Sequence, residues 1–382
     1  MNIRKNDFNS SGCEVLIAGG GTAGHVIPAI AIGDSLCREK IVDSRAKIQV
    51  VGSKRGVGEK LFIAAGYELT LLPGRGLQRK LAFKNFIAIF ELFNAFFRSL
   101  FLLKKIRPKV IVATGGYASF ACGLAAVLLR IPLVVTEQNI VPGSVNKFLS
   151  RFSVFTAVSF EATQLRNQIF TGNPLRVDVL DFIVKDKRET ARATLKVGER
   201  KMLTVFGGSL GARRINELMI DIAKEWNGSP LLIHHVVGSR DWPKISKVIP
   251  IFPSDVEYKM VEFENDMATV LGSSDLVVCR SGATSIAEIT ALGIPSVLLP
   301  LPGSPGNHQV ENARFLSEAG AASLIEEKEL SVDRLRGEII KILEERNLLM
   351  SMSTSSRSLA RLDAGKLIAE LIGDKILRED HE

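Results

Sequence analysis

The sequence predicts an α/β protein with two Rossmann-like, doubly wound parallel-sheet domains. Short β-branched apolar runs are repeatedly followed by a glycine turn and then by a helical segment, which is typical of parallel sheets covered by helices. A strand–glycine–helix–Ile-Pro–strand unit also occurs once in each half, at 110–135 and 276–299. The chain has 382 residues, too many for one ordinary core and enough for two domains of roughly 150–200 residues.

The individual elements follow from this alternation. Strands are predicted at 14–18, 47–51, 109–113, 131–135, 202–206, 276–279 and 293–299. A helix is predicted at 27–38, directly after the first glycine turn. Two more are predicted, one from Ala212 onwards and one from the turn at 281–283 to about Leu292. A last amphipathic helix is predicted at 359–371, after a serine-rich piece at 351–358.

The domain boundary is predicted just after the TGNPLR segment at 171–176, because the charged stretch that follows has no strand pattern. We therefore expect an N-terminal domain at 1–177 and a C-terminal domain at 178–354. The segment at 355–382 is expected to complete the N-terminal domain.

The charge balance favours some partner classes over others. Lys and Arg total 49 against 41 Asp and Glu, a formal net charge of +8. This moderate excess suits an anionic ligand or an acidic membrane face, and it lacks the dense basic run of a nucleic-acid-binding tail.

The cysteines and apolar stretches predict a cytoplasmic chain without a membrane span. The four cysteines are scattered without a CxxC pair, which disfavours a disulfide scaffold or a zinc site. The first residues lack the apolar core of a secretory signal. The longest apolar stretch, 87–103, is interrupted by Glu91, Asn94 and Arg98.

Several glycine turns lie where a strand meets a helix, at 19–24, 115–116, 207–211 and 281–283. In such turns backbone N–H groups converge beside the positive end of the helix dipole, and phosphate oxygens are their natural ligand. Any doubly wound sheet needs some glycines at these junctions. Their occurrence at equivalent places in both halves nevertheless favours a crevice that holds a diphosphate from both sides.

The first turn also satisfies GxGxxG through Gly19, Gly21 and Gly24, the pattern of a dinucleotide site. That pattern requires an acidic residue at the end of the second strand to bind ribose, and this sequence offers Lys54 there. A nicotinamide or flavin cofactor is therefore disfavoured, and none is predicted.

Polar residues at the ends of the predicted strands are candidates for chemistry. His25 follows the first turn, where the positive helix end favours a neutral imidazole that can accept a proton. Glu137 and Asn139 follow the 131–135 strand, where open α/β sheets bind ligands. Glu288 lies one helical turn past Ser285 and suits ribose hydroxyls, with a surface salt bridge as its alternative.

No DxD pair occurs at a strand end, so no metal site is predicted. Helix dipoles and basic side chains would then have to balance the charge of a diphosphate. Arg176 and Arg280 are the candidates.

The motifs, in this order and spacing, resemble those of the bacterial cell-wall glycosyltransferases of family 28, over nearly the whole chain. The matching segments are GGTAGH at 20–25, GGYAS at 115–119, EQN at 137–139, TGNPLR at 171–176, GGSLGA at 207–212, CRSGA at 279–283 with Glu288, and NHQ at 307–309 with Asn312. The resemblance implies a GT-B fold, with two domains that face each other across a cleft. It also implies transfer of GlcNAc from UDP-GlcNAc to the C4 hydroxyl of the muramyl sugar of lipid I, giving lipid II with inversion.

The resemblance also assigns residues to the two substrates. It implies a UDP-GlcNAc site formed by Thr22, Ala23, Gly24, Asn139, Arg176, Ser209, Glu264, Ala283, Thr284, Ser285, Glu288 and Gln309, with His308 as a further neighbour of the sugar. Tyr117 and Asn146 correspond to positions on the acceptor side, and Asn216 corresponds to one near the donor.

Two residues depart from the family pattern. Ala23 stands where the family usually has a second glycine, so the first turn is expected to approach its phosphate slightly less closely. Thr136 replaces a His that often precedes the EQN segment. His25 or Glu137 is then the general base, and we favour His25.

A phenylalanine-rich segment near 77–103 predicts a membrane contact. Phe86, Phe90, Phe93 and Phe97 fall at helical spacing, and the alternative is a helix packed into the first domain. The cluster of Arg75, Arg79, Lys80 and Lys84 beside these rings favours peripheral docking on an anionic bilayer.

We therefore expect a peripheral enzyme on the cytoplasmic face of the inner membrane. Its expected partners are UDP-GlcNAc, lipid I and the anionic membrane surface. Cell-wall synthesis or division proteins are further candidate partners. Two alternatives remain: a transferase of the same fold that acts on diacylglycerol or a small acceptor, and a membrane-associated scaffold without activity.

Overall fold

The computed structural model describes residues 12–54, 56–73, 84–208, 211–247 and 250–379. Its strands are β1 Val15–Gly19, β2 Ile48–Ser53, β3 Glu68–Leu72, β4 Val110–Gly115, β5 Leu133–Glu137, β6 Phe155–Val158, β7 Gln168–Phe170, β8 Lys201–Phe206, β9 Leu231–Val236, β10 Val256–Val261, β11 Leu276–Cys279, β12 Ser296–Leu298 and β13 Ala322–Leu324. Its α-helices are α1 Ala23–Arg38, α2 Gly58–Ala64, α3 Lys84–Ile106, α4 Gly116–Leu129, α5 Ser144–Leu149, α6 Val177–Val184, α7 Arg188–Thr194, α8 Arg213–Lys224, α9 Trp242–Ile245, α10 Met267–Ser273, α11 Ala283–Leu292, α12 His308–Glu318, α13 Val332–Glu344, α14 Arg346–Ser358 and α15 Ala364–Glu379.

The strands form two separate sheets in which every pairing is parallel. The first sheet has the order β3-β2-β1-β4-β5-β6-β7, and the second has the order β10-β9-β8-β11-β12-β13. Both orders reverse direction once, between β1 and β4 and between β8 and β11. This is the doubly wound arrangement, and it confirms the predicted fold class.

The chain divides into two compact units along these sheets. The first unit contains residues 1–138, 142–174 and 363–382, and the second contains 139–141 and 175–362. The two sheets therefore belong to different units.

The first unit has a core on each face of its sheet. On one face, Ile17, Val50 and Val112 pack with the buried side of α1. Helix α15 joins this core through Ile368 and Ile372, because its apolar residues recur at helical spacing. On the other face, α3 and α4 cover a cluster that includes Leu16, Ile111, Val135, Ala121 and Leu103.

The second unit repeats this design. Helices α8 and α13 contribute Ile215, Met219, Leu335 and Ile339 to a large cluster over β8, β9 and β11. A smaller cluster with Met202 and Leu232 lies on the other face of the sheet. A further cluster is built around Phe182 of α6.

Several element boundaries differ from the sequence predictions. Helix α1 begins at Ala23, four residues before its predicted start, so that Pro28 lies inside it. Strand β5 runs two residues further than predicted and ends on Glu137. The serine-rich piece at 351–358 is helical, because Met352 and Ser356 on one face of α14 are buried. The last helix accordingly begins at Ala364.

Within the described residues, no helix is long and apolar enough to span a bilayer.

The contact between α10 and α6 supplies a test of packing in the second unit. A Cβ atom on Gly272 would lie 2.1 Å from the Phe182 ring, so Gly272→Ala forces that ring to move. We expect a loss of about 1–3 kcal/mol of unfolding free energy. Both tryptophans, Trp226 and Trp242, lie in this unit, so tryptophan fluorescence during urea unfolding measures it directly.

Gly337→Ala is the matched control for this experiment. Gly337 lies inside α13 with open space around its Cβ position, so alanine should stabilise the unit by about 0.5–1 kcal/mol. Equal effects of the two substitutions would contradict the packing described here.

Candidate functional site

Each unit gathers polar residues and glycine turns at the point where its strand order reverses. In open α/β sheets, ligands bind outside the carboxyl ends of the strands at this position. In the first unit, the segments that follow β1 and β4 meet there. In the second unit, the segments that follow β8 and β11 do so. These are the four glycine turns that the sequence singled out.

The turn after β1 is pressed closely against its neighbours. A Cβ atom would lie 2.0 Å from Thr114 Oγ1 at Gly19, and 2.9 Å from the Ser53 amide nitrogen at Gly20. The chain then enters α1 through Thr22, whose side chain makes no capping hydrogen bond. Thr22 and Gly24 are exposed, so this helix start is open to solvent, and an open helix start suits an anion.

The turn after β4 brings the backbone against His25. Gly115 and Gly116 have φ angles of +111° and +84°. A Cβ atom on Gly115 would lie 2.9 Å from Nε2 and Cδ2 of His25, and one on Gly116 would lie 2.5 Å from the Gly20 carbonyl oxygen. Only glycine fits both the conformation and the space at these two positions.

The hydrogen bonds of His25 indicate its tautomer. Its Nδ1 atom lies 3.2 Å from the Gly20 carbonyl oxygen and 3.4 Å from Thr22 Oγ1. Because a carbonyl oxygen only accepts, Nδ1 donates in the first of these bonds. In a neutral ring the lone pair is then on Nε2, the atom beside Gly115.

Glu137 and Asn146 are held together in the first unit. Glu137 Oε2 accepts from the Gly143 amide and from Asn146 Nδ2, both at 2.9 Å. Asn146 Nδ2 also donates to the Thr136 carbonyl oxygen, whereas Oδ1 of the same side chain is buried and has no partner in the described structure. Asn146 Nδ2 lies 3.5 Å from the Cβ position of Gly115, so this pair adjoins His25.

Tyr117 lies in the first turn of α4, and its hydroxyl is engaged by the backbone. Its oxygen lies 2.9 Å from the Pro73 carbonyl oxygen and 2.5 Å from the Glu91 carbonyl oxygen, and the two acceptors share its single hydrogen. Burial raises the pKa of this phenol to about 12. The hydroxyl therefore links α4 to α3 and to the end of β3.

In the second unit, the turn after β8 leads into α8. Gly208 is exposed with a φ of +92° and open space around its Cβ position. Helix α8 has Ala212 at its N-cap, without a side-chain cap or an acidic residue in its first turn. Ser209, which the resemblance assigned to the donor, lies outside the described residues.

The turn after β11 leads into α11 in a similar way. Ala283, Thr284 and Ser285 form the first turn of this helix, after Gly282 at the N-cap. No side chain caps the helix, and its first turn contains no acidic residue. Thr284 Oγ1 is buried and, among the described residues, has no hydrogen-bond partner. The three predicted residues thus share one uncapped helix start, which suits an anionic ligand.

Arg176 and Glu288, both predicted to bind the nucleotide, form an ion pair in which the carboxylate is buried and the guanidinium is partly buried. Arg176 Nε lies 2.7 Å from Glu288 Oε1, and Arg176 Nη1 lies 3.2 Å from Asp178 Oδ2. Burial raises the pKa of Glu288 although Arg176 opposes this effect. Burial alone would lower the pKa of Arg176, but the two carboxylates outweigh it and raise that pKa.

Asn139 belongs to the second unit because Asn312 holds it there. Asn312 Nδ2 donates to Asn139 Oδ1 at 3.1 Å and to the Ser281 carbonyl oxygen at 3.2 Å, and its Oδ1 accepts from the Ile140 amide. Gln309 is close to this group, since its carbonyl oxygen accepts from Ser281 Oγ at 2.7 Å. The side-chain oxygen of Gln309 accepts from the Leu301 amide.

Glu264 is anchored by a residue that the sequence analysis did not single out. The Nε2 atom of His234, on β9, lies 3.1 Å from Glu264 Oε2. The other carboxylate oxygen, Glu264 Oε1, accepts from the Asp266 amide. Burial lowers the pKa of His234 despite the carboxylate beside it. The signal in the sequence was the pair His234-His235 inside an otherwise apolar strand.

Arg280, the other predicted diphosphate contact, is engaged with the backbone. Its Nη1 atom donates to the carbonyl oxygens of Leu299 and Pro300 and lies 3.5 Å from Glu327 Oε2. The side chain therefore fixes the segment that follows β12. Among the described residues, no group of three or more His, Cys, Asp or Glu side chains could hold a metal ion.

The buried pair Arg176–Glu288 allows a stability test. Arg176→Met leaves the Glu288 carboxylate buried without its cation, and we expect a loss of about 3–5 kcal/mol. Glu288→Gln removes the buried charge as well as the pair, so it should cost less. Urea unfolding followed by tryptophan fluorescence measures both variants, and a smaller effect for Arg176→Met than for Glu288→Gln would contradict this account.

The family comparisons match parts of both units. The N-terminal domain of glycosyltransferase family 28 matches residues 15–157, and the C-terminal domain of that family matches residues 202–368. A crystal structure of MurG from Acinetobacter baumannii covers 94% of this chain and 99% of its own, with a TM-score of 0.72 and 26% identity.

Two relatives carry the same name, UDP-N-acetylglucosamine–N-acetylmuramyl-(pentapeptide) pyrophosphoryl-undecaprenol N-acetylglucosamine transferase. The one from Caldanaerobacter subterraneus subsp. tengcongensis is 35% identical over 94% of this chain and 98% of its own length. The one from Ruminiclostridium cellulolyticum is 36% identical over 95% of this chain and 100% of its own length. This chain therefore belongs to glycosyltransferase family 28 and, within it, to the MurG family of N-acetylglucosamine transferases.

Proposed function

We propose that this protein transfers GlcNAc from UDP-GlcNAc to the C4 hydroxyl of the N-acetylmuramic acid in lipid I, giving lipid II with inversion at the anomeric carbon. The observation that carries the proposal is the match, along nearly the full chain, to relatives named for this transfer. The polar residues at both strand-order reversals supply the chemistry that such a reaction needs.

In this proposal the second unit binds the nucleotide sugar. The uncapped starts of α8 and α11 offer backbone amides to the diphosphate. Glu288, oriented by Arg176, accepts from the ribose hydroxyls, and Gln309 contacts the GlcNAc hydroxyls. The backbone at Glu264 contacts uracil. Ser209, Asn139 and the α1 residues Thr22, Ala23 and Gly24 remain further predicted contacts.

The first unit supplies the proton acceptor. As the acceptor oxygen attacks the anomeric carbon, the bond from that carbon to the diphosphate oxygen breaks and UDP departs. The hydroxyl proton moves to Nε2 of His25, since Nδ1 of that ring donates to Gly20. The helix N-termini stabilise the negative charge that develops on UDP.

The geometry favours His25 over Glu137 as the base. One carboxylate oxygen of Glu137 already accepts two hydrogen bonds, from Gly143 and Asn146. Protonating Glu137 would weaken both of these bonds. In the proposal Glu137 instead holds Asn146 in place on the acceptor side, where Tyr117 is also predicted to lie.

We also propose that α3 docks on the cytoplasmic leaflet of the inner membrane. Phe90, Phe93, Phe97 and Phe101 form one outward stripe of this helix and are 72%, 60%, 53% and 75% exposed. The opposite side packs against α4 through Ala95, Ser99 and Leu103. A stripe of uncovered rings suits insertion into a bilayer, and a lipid-linked acceptor requires the enzyme to be there.

Radiolabelled transfer onto a synthetic lipid I analogue tests the reaction. We expect UDP-[14C]GlcNAc to label the lipid I analogue and to leave diacylglycerol and small aglycones unlabelled. Labelling of diacylglycerol alone would favour the alternative transferase, and no turnover with any acceptor would favour the scaffold.

His25→Ala is the variant that tests the proposed chemistry in the same assay. We expect kcat to fall about 100-fold or more while the KM for UDP-GlcNAc stays near the wild-type value, because only proton transfer is lost. Glu137→Gln should be milder. A normal kcat for His25→Ala would overturn its role as base.

The membrane proposal predicts a loss of vesicle binding on polar substitution of the stripe. Phe90→Ser combined with Phe101→Ser should weaken binding to phosphatidylglycerol vesicles at least about tenfold, because each buried ring contributes roughly 2 kcal/mol. Vesicle co-sedimentation measures this, and turnover of a water-soluble acceptor analogue should stay unchanged.

Ile63→Ser provides the control for the vesicle assay. Ile63 is an equally exposed apolar residue on α2 of the same unit, and its loss should not alter binding. Equal weakening by the control and by the double variant would show that general surface hydrophobicity, rather than α3, drives the association.

A further inference from the structure

A chain of buried hydrogen bonds lies directly behind the first turn of α8. Tyr258 Oη lies 2.7 Å from His235 Nδ1, and His235 Nε2 lies 3.0 Å from Asn216 Oδ1. Asn216 Nδ2 then donates to the Val237 carbonyl oxygen at 3.0 Å and to Asp241 Oδ2 at 3.2 Å. Asn216 and His235 are fully buried, so each missing bond would leave a polar atom without a partner.

The direction of every bond in this chain follows from one backbone carbonyl. Because the Val237 oxygen only accepts, it fixes which end of the Asn216 amide faces it. The Asn216 oxygen then faces His235, so His235 Nε2 carries the hydrogen. Burial lowers the pKa of His235 to about 3, which keeps the ring neutral. Its Nδ1 atom therefore accepts from the Tyr258 hydroxyl.

At its Asn216 end, this series of hydrogen bonds reaches Gly211, the last residue of the glycine turn before α8. Gly211 has a φ of +86°, and a Cβ atom there would lie 2.2 Å from the Val237 carbonyl oxygen and 3.0 Å from Asp241 Oδ2. Arg240 pairs with Asp241 and also donates from Nη2 to the Gly211 carbonyl oxygen at 3.2 Å. Gly211 therefore packs against the Val237 carbonyl oxygen and the Asp241 carboxylate, the same two groups to which Asn216 donates.

Among the described residues of the turn, no side chain holds the start of α8 in place. The N-cap of α8 is Ala212, which cannot cap the helix, and the first helical turn contains no acidic residue. Asn216 is the fourth residue of α8, so its side chain ties the start of the helix to the end of β9. The orientation of this helix start therefore depends on the buried chain behind it.

We propose that His235 is a positioning residue for the diphosphate of the nucleotide: through Asn216 it holds the start of α8 and Gly211 in the orientation that binds phosphate oxygens. The proposal rests on the donor site described under the proposed function. His235 touches no substrate in this scheme. It acts only through the orientation of Asn216, whose two donor contacts hold Val237 and Asp241.

The neighbouring His234 serves a different part of the site. Successive residues of a strand point to opposite faces of the sheet, and His234 bonds to Glu264 rather than to Asn216. Substitution of His235 should therefore weaken binding of the phosphates and leave the contacts to the uracil ring in place. This separation makes the proposal testable with simple ligands.

The test compares UDP with uridine, which lacks both phosphates, by calorimetric titration of the full-length protein. For His235→Leu we expect the Kd of UDP to rise about tenfold or more and the Kd of uridine to change less than about twofold. His235→Gln should restore most of the UDP affinity, since its side-chain amide can donate to Asn216 in place of Nε2.

Leu335→Ala controls for general loss of stability. Leu335 is a fully buried residue of the same unit, in the core beneath α13, and its truncation destabilises without touching the hydrogen-bond chain. We expect it to leave the ratio of the two Kd values unchanged. Equal weakening of UDP and uridine by His235→Leu, or a ratio shifted as much by Leu335→Ala, would overturn the proposal. If wild-type protein binds UDP no better than uridine, the donor site itself is wrong.

Discussion

All the strands of each sheet run in one direction, and this constraint determines where chemistry can occur. Parallel pairing places the carboxyl ends of the strands, and the helix starts that follow them, on one edge of each sheet. Where the strand order reverses, the helices that follow the two neighbouring strands pack on opposite faces of the sheet. A gap therefore opens between their N-termini. Glycine is needed at these points because the backbone must approach another chain segment closely, as Gly19 and Gly211 do.

Several side chains predicted to bind substrate are already engaged with one another. Arg176 is paired with Glu288, Asn139 is held by Asn312, and Glu264 is held by His234. Such pairs cost desolvation free energy, and the raised pKa of Glu288 shows that its partner does not fully compensate for burial. In return, each of these predicted contact residues is already fixed in position, and such preorganisation lowers the entropy that a protein loses on binding a ligand.

The fold class could be predicted from the sequence because the alternation of apolar strands and glycine turns is visible without any knowledge of tertiary contacts. It placed β11 correctly and misplaced the start of α1, since Pro28 reads as a first-turn residue although it lies inside the helix. The serine-rich stretch of α14 looked irregular because burial of its inner face is a tertiary effect.

The predicted site residues come from recognisable motifs, whereas the residues that contact them in the structure could not be identified from the sequence. His25 and Glu288 stand in recognisable segments, whereas the contacts of His235 and Asp241 with Asn216 appear only when β9 is packed against α8. For Arg280, the cation beside a glycine turn suggested phosphate, and the structure adds that its Nη1 atom donates to two backbone carbonyl oxygens, a contact that the sequence could not show.

The outward phenylalanines of α3 also have a consequence for the protein in water, away from any lipid. Rings that are more than half exposed along one helix face form a contiguous apolar strip, and such strips drive self-association when nothing covers them. The purified protein should therefore form reversible aggregates as its concentration rises, and a mild detergent that coats the strip should disperse them. Crystallisation trials and light scattering would then depend on detergent more than on salt.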